Sequence, residues 1–269
     1  MDEGRPLPLA SSQDPCDAEC PVTDELIVER NAGVTRLTLN RPEKANALSK
    51  TLVDALILAL DNASQDGTYL MILKGSGRMF SGGFDLANFD RESDASLVKR
   101  FIQIEILLQR LYHAPFATLA FAHGAAFGAG ADLVCVCEQR IATPATMFRM
   151  PGLQFGVVLG TRRFAQRVGP DTARAILGES RTFNAEQGLE IGFLTGVADQ
   201  PAWTVREECI AEAGQRLDAK SRAALNAATI PDTRAEDMAA LQESVMREGL
   251  KGRIGAYVAE FVTRRSASD

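Results

Sequence analysis

One stretch restricts the possible folds more than any other: Thr118 to Glu138, TLAFAHGAAFGAGADLVCVCE, an apolar run that breaks into small residues and resumes as helix. Thr118 to Ala122 predicts a buried strand, and Ala129 to Cys137 a helix with almost no polar face. Gly124, Gly128 and Gly130 lie between them. Glycines at a strand-to-helix junction let the backbone approach a ligand closely, and the first turn of a helix carries N–H groups without internal partners. A ligand oxygen with negative charge is stabilised there. A close-packed turn that needs small residues for steric reasons gives the same pattern. A second small-residue loop, Phe80-Ser81-Gly82-Gly83-Phe84-Asp85, also follows a predicted strand, and two such loops can form one two-donor hole.

A chain of 269 residues, 46% hydrophobic and 24% charged, can bury a full core as one domain, or one domain with an appendage. A net charge of −6 without a concentrated basic surface argues against nucleic acid as a partner. Ala114 to Cys137 is long enough to consider as a membrane span, but its glycines, His123 and Asp132 make it core, so no membrane association is expected. No basic-then-apolar leader follows Met1, and no signal peptide is expected. The five cysteines, Cys16, Cys20, Cys135, Cys137 and Cys209, have spacings that form no disulfide framework, which predicts a reducing cytoplasm. Cys16 and Cys20 lack a second pair or a nearby histidine, so they predict a solvated tail and no metal site. Cys135 and Cys137 point in different directions on one helix, as core thiols do.

Along the chain, residues 1–22 lack periodicity and predict a disordered leader, 23–200 a core, and 201–269 a helical region. Leu26 to Arg30 and Val34 to Leu39 flank Asn31-Ala32-Gly33 as a β-hairpin. Ser49 is placed to cap a helix to Ala63 with Leu52, Leu56, Ala59, Leu60 and Ala63 on one face. Tyr69 to Lys74 predicts a central parallel strand, Asn88 to Ser96 a mobile segment over the site, and Ala95 to Tyr112 a helix. On that helix Glu105 falls among Phe101, Leu108 and Tyr112. Short strands follow at Gln139 to Ala142 and Thr146 to Arg149. Helices follow at Thr161 to Val168, Pro170 to Leu177 and Ala185 to Ile191. Beyond Ala202 the pattern is helical to Arg265, broken near Pro231 and from Gly249 to Gly255.

Three segments in this order and spacing resemble the crotonase (enoyl-CoA hydratase/isomerase) superfamily. They are Asn40-Arg41-Pro42 with Lys44 to Leu48, Phe80 to Leu86, and His123 to Leu133. The likeness runs from about Leu26 to Val197, and Arg181 to Gly192 is similar to the family's segment after the core helices. It implies an α/β fold, a crotonase-like ββα superhelix in four β/β/α layers with a C-terminal helical appendage. It also implies acyl-CoA thioester substrates, no resident cofactor beyond coenzyme A as part of the substrate, and trimers or dimers of trimers built through the C-terminal helices. The oxyanion-hole N–H groups fall by this resemblance on Phe84 and Ala129. Loss of one such donor costs about 2.7–4 kcal/mol of barrier. The loop through Lys44, Ala45, Ala47 and Leu48, with Arg78, would hold the adenine and phosphate end of coenzyme A, although Lys44 and Arg78 also fit ordinary solvated charges. Ser81, Gly82, Gly83, Asp85 and Leu86 in one loop, Ala126 and Gly128 in the other, and Gly152 would surround the substrate.

The chain departs from the family's hydratases at both of their catalytic glutamates: the positions hold Asp132 and Gly152. Two positioned groups are needed to steer and activate a water, and glycine carries no proton. The loop after Gly156 is shorter than the family pattern, and where dienoyl isomerases place an aspartate it offers Gly160. The resemblance thus implies isomerase, decarboxylase or hydrolase chemistry on a thioester enolate, with a catalytically degenerate acyl-CoA binder or scaffold as the alternative. Asp132 and Glu105 are the candidate proton carriers. Against these roles, Asp132 also fits a backbone-bonded carboxylate, and Glu105 a buried partner of Arg149 or Arg162. His123 is expected to be a satisfied core histidine and His113 a surface one.

Overall fold

The structure is a computed structural model that describes residues 23–266; the expected leader, with Cys16 and Cys20, lies outside the described residues. Leu26–Asn31 (β1) and Val34–Leu39 (β2) form the expected antiparallel hairpin. Its turn residues Ala32 and Gly33 both have positive φ, at 49° and 76°. The following loop contains a 3-10 turn, Pro42–Lys44, and is tied down by the buried Asn46. The Asn46 Oδ1 accepts from Arg41 N, and its Nδ2 donates to Ser76 O and Met79 O. Ser49 caps Lys50–Ala63 (α1), its Oγ accepting from Leu52 N at 3.0 Å, and the five expected apolar positions face the core.

Leu70–Gly75 (β3) leads to Asp94–Tyr112 (α2), followed by Ala117–Ala122 (β4), Ala125–Phe127 (β5), Ala129–Val136 (α3), Gln139–Ala142 (β6) and Met147–Arg149 (β7). Then come Thr161–Val168 (α4), Pro170–Glu179 (α5), Phe183–Asn184 (β8), Ala185–Glu190 (α6) and Gly196–Val197 (β9). Six strands form one sheet in the order β1-β2-β3-β4-β6-β9, and β5-β7-β8 form a second, smaller sheet. Strand β4 lies in the middle of the large sheet and is buried at every residue. Ala120 and Ala122 face the main core, whereas Leu119 and Phe121 belong to a cluster with Trp203, whose ring stacks on Phe121 at 4.7 Å.

Strands β8 and β9 have two residues each, too few to show a period, and β5 lies between Gly124 and Gly128 in a stretch that reads as loop. The chain ends in Trp203–Gln215 (α7), Ala219–Thr229 (α8), Arg234–Val245 (α9) and Leu250–Ser266 (α10). The predicted break from Gly249 to Gly255 is confined to Gly249, and α10 runs through Gly252 and Gly255. Its start is fixed by Asp94, whose carboxylate accepts from Leu250 N at 3.1 Å and Lys251 N at 2.9 Å, a tertiary cap that outweighs glycine's poor helix propensity.

The Asn88 to Ser96 segment, expected to be mobile, is therefore anchored. It holds a 3-10 turn at Phe89–Arg91, and Lys251 Nζ donates to Asp90 O and Glu92 O. Helices α9 and α10 fold back on α2 through Leu97, Phe101, Val157, Leu241, Val245, Leu250 and Ile254. Helices α9 and α10 thus pack on the core, whereas α8 buries only Arg222. No helix among the described residues is long and apolar enough to cross a membrane.

Candidate active site

The two glycine-bearing loops interlock. Phe80 N donates to His123 O at 2.9 Å, Ser81 N to Ala125 O at 3.3 Å, and Phe127 N to Ser81 O at 2.9 Å. At their closest approach only glycine fits: a Cβ on Gly83 (φ 86°) would stand 2.3 Å from Phe127 O, and one on Gly130 2.7 Å from Ser81 O. The same added Cβ at Gly83 would lie 3.1 Å from Ala129 N, so the backbone leading into Phe84 abuts the start of α3. Ala129 is the first residue of α3, where an N–H has no partner within the helix. Neither Phe84 N–H nor Ala129 N–H finds an acceptor among the described residues.

Both residues border one cavity of about 390 Å³. Gly82, Phe84 and Leu86 form one wall, Gly128, Ala129 and Asp132 another, and Gly152, Val157 and Leu159 a third. Phe101 of α2 and Tyr257 and Val258 of α10 close it with apolar surface. Of the residues expected around the substrate, the structure brings Gly82, Phe84, Leu86, Gly128, Ala129, Asp132 and Gly152 together here. Ser81, Gly83, Asp85 and Ala126 stand behind the wall. Ser81 Oγ donates to Asn46 O at 2.8 Å and accepts from Gly83 N at 3.1 Å. Asp85 accepts from Arg41 Nη1 and Ala87 N, both at 2.9 Å, and Ala126 is wholly buried in β5. These groups hold the loops in shape instead of facing the cavity. Leu48 and Asp85 border a separate cavity with Lys50, Lys99 and Arg100. Lys44 and Arg78 are exposed and line neither; Ala45 and Ala47 carry loop backbone bonds, their carbonyls accepting from Gly82 N and Arg41 Nη1.

Glu105 does not border the cavity, which corrects its expected role as a proton carrier. It is 1% exposed and in a bidentate pair with Arg163, not with Arg149 or Arg162. Gln109 Nε2 donates to the same carboxylate at 2.8 Å, so both oxygens are occupied. Arg149 instead donates from Nε to Ser180 O, and Arg162 to Asp237. Helix geometry placed Glu105 on a buried face, but the identity of its partner depends on α4, 58 residues away.

Asp132 has the opposite environment. It is 3% exposed, and its Oδ1 is buried without a hydrogen-bond partner among the described residues. Burial holds its carboxyl well above the usual carboxylate range; Glu105 adds to the effect and Arg163 opposes it. The carboxyl packs against Gly160 (φ 66°), where a Cβ would stand 1.9 Å from Oδ1. Gly160→Ala is therefore expected to displace Asp132. The displacement is to be checked by a crystal structure of the variant.

His123 Nε2 lies 2.9 Å from Gly77 O, while its Nδ1 has no partner among the described residues. His113 is half-buried at the end of α2 rather than on the surface, and burial together with Arg234 lowers its pKa. Burial pushes the Cys135 and Cys137 thiols up to about 11 and about 12, which leaves them protonated. Tyr257 and Val258 escaped sequence reasoning, because no local pattern ties a C-terminal helix to loops more than 100 residues earlier.

Two sheets joined through interlocked loops, with helices folded back on α2 and a cavity beside two unpaired main-chain amides, make up the crotonase fold, which solved relatives share. The family model for enoyl-CoA hydratase/isomerase matches residues 29–251, and the chain belongs to that family. It is 32% identical over 176 residues to a Bacillus subtilis strain 168 protein named "Probable enoyl-CoA hydratase", covering 62% of this chain and 67% of that one. It is 30% identical over 178 residues to the 2,3-dehydroadipyl-CoA hydratase of Escherichia coli K12, covering 64% of this chain and 69% of that one. A crystal structure from Bordetella parapertussis, named for the same family, matches with a TM-score of 0.87 and 45% identity over 88% of this chain and 99% of that one.

Proposed function

We propose that the cavity binds an acyl-CoA thioester with its carbonyl oxygen between Phe84 N–H and Ala129 N–H, and that Asp132 carries the single proton exchanged with the resulting enolate. One observation carries this reading: among the described residues, Asp132 is the only carboxyl that borders the cavity. Two unpaired amides match an oxygen that gains charge in the transition state. A buried carboxyl whose protonated form is favoured can give its proton to the enolate carbon, and the carboxylate it then becomes can take one back. The apolar walls from Phe84, Phe101, Val157 and Leu159 suit an acyl chain. A proton exchanged with an enolate fits isomerisation or decarboxylation, and the same two amides would serve the tetrahedral oxyanion of thioester hydrolysis; hydration by two glutamates lacks its second acid, since Gly152 stands there.

Gly152 supports this division. Val157 N donates to Gly152 O at 2.9 Å, closing a tight turn, and a Cβ on Gly152 would stand 3.0 Å from Val157 O. Gly152→Glu is expected to lower stability by about 1–3 kcal/mol through overpacking without creating hydratase activity. Denaturant unfolding and a 2-enoyl-CoA hydration assay check both parts.

In the same reading, Lys44 and Arg78 hold the phosphates and adenine of coenzyme A, and the C-terminal helices build a trimer or a dimer of trimers. Product analysis on a panel of acyl-CoA thioesters, combined with exchange of their α-protons in D2O, tests the chemistry. Turnover or exchange that disappears in Asp132→Asn supports it. Tight binding without turnover or exchange overturns it.

A further inference from the structure

Behind the cavity wall lies an ion cluster that includes no residue of the proposed chemistry, buried at Glu105 and Arg163 and exposed at Arg162. Arg163 of α4 donates from Nη2 to Glu105 Oε2 at 2.5 Å, and from Nη1 to Glu105 Oε1 at 2.9 Å and Asp237 Oδ2 at 3.0 Å. Arg162 Nε donates to Asp237 Oδ1 at 2.9 Å. Two guanidiniums meet two carboxylates drawn from α2 and α9, so the cluster is electrically closed. Among the described residues Arg163 Nε is buried and makes no hydrogen bond, and the Asp132 carboxyl accepts none, its Oδ1 being fully buried. The two groups belong to neighbouring turns of packed helices, since Asp132 rests against Gly160, three residues before Arg163.

An arginine on a neighbouring turn favours the charged form of a buried aspartate, and Arg163 acts on Asp132 in that sense, against the larger effect of burial. Here the guanidinium is already committed elsewhere. We propose that Glu105, assisted by Asp237, is a positioning residue that holds the Arg163 guanidinium away from Asp132 and so favours the protonated form of the Asp132 carboxyl. The inference rests on the reading of Asp132 as proton carrier and deepens it.

The charged and titratable groups that face Asp132 are Arg163 from α4, Glu105 from α2, Cys135 on its own helix, and Arg149 and Tyr257 of α10 in the cavity lining, with Asp237 of α9 acting through Arg163. Cys135 stays a neutral thiol, so it does not offset Arg163. Burial works against the Arg163 charge, and the hydrogen bonds and charge of Glu105 outweigh that effect. Removing the Glu105 charge while keeping its shape frees Arg163 to turn toward Asp132.

The test is an infrared pH titration of the protonated-carboxyl band that Asp132→Asn abolishes, recorded on the full chain and on Glu105→Gln. The midpoint is expected to fall by about one pH unit or more in Glu105→Gln. Where Asp132-dependent turnover is present, its pH profile is expected to shift in the same direction. Asp237→Asn, at the margin of the cluster, is expected to shift it the same way by less, and it decides the matter should Glu105→Gln fail to fold. An unmoved midpoint in a folded variant overturns the inference, even where Asp132→Asn abolishes turnover. A moved midpoint with turnover indifferent to Asp132→Asn leaves the tuning in place and overturns only the proton-carrier role.

Discussion

Arg163→Met is expected to lower the unfolding free energy by about 3–5 kcal/mol, because it leaves buried carboxylates without their counter-charge. Glu105 and Arg163 are 1% and 2% exposed, and water cannot replace the lost partner. For a chain of this size such a loss corresponds to a Tm lower by about 6–20 °C. The double variant Glu105→Leu with Arg163→Met is expected to recover most of it, since the desolvation cost of both ions disappears together. Denaturant unfolding of wild type, both single variants and the double variant separates these cases. A single variant within about 1 kcal/mol of wild type would place the pair with ordinary surface bridges.

Asp132→Asn is expected to reduce turnover of any accepted acyl-CoA by about 10²- to 10⁴-fold, the usual range for loss of a positioned acid or base. It also carries a stability signature of definite sign. The folded protein raises the Asp132 pKa, so the native state keeps a proton that the unfolded chain releases. The stability this provides is fully present below the ordinary aspartate range and is lost as pH rises through the folded value. Asparagine cannot ionise. The variant should therefore match wild type in acid and become the more stable of the two toward neutral and alkaline pH. Thermal melts across pH detect that crossover, and parallel curves at all pH values would contradict the burial of an ionisable group there.

Much of this arrangement was legible in the residues. Ser49 announced its helix, the alternation of Val34 to Leu39 its strand, and the glycines of both loops their close approach. What remained hidden depended on partners distant in sequence. Strand β5 forms because Ala126 pairs with Phe148, although its own residues read as loop. Glycines 252 and 255 stay helical because Asp94 caps the helix from 156 residues away. Periodicity places Glu105 on a buried face but does not report which arginine arrives there, so its pair with Arg163 is not legible in the sequence. Gly160 was visible only as a missing acid, whereas its lack of a side chain is what admits the Asp132 carboxyl.

The convergence of Phe84 N–H and Ala129 N–H on one carbonyl is most directly tested by isotope-edited infrared spectroscopy of a saturated acyl-CoA labelled at the thioester carbon. Bound to the protein, the carbonyl band is expected at lower frequency than in free solution, as two hydrogen bonds draw charge onto the oxygen. A bound ligand whose carbonyl band stays at its solution frequency would contradict the oxyanion hole.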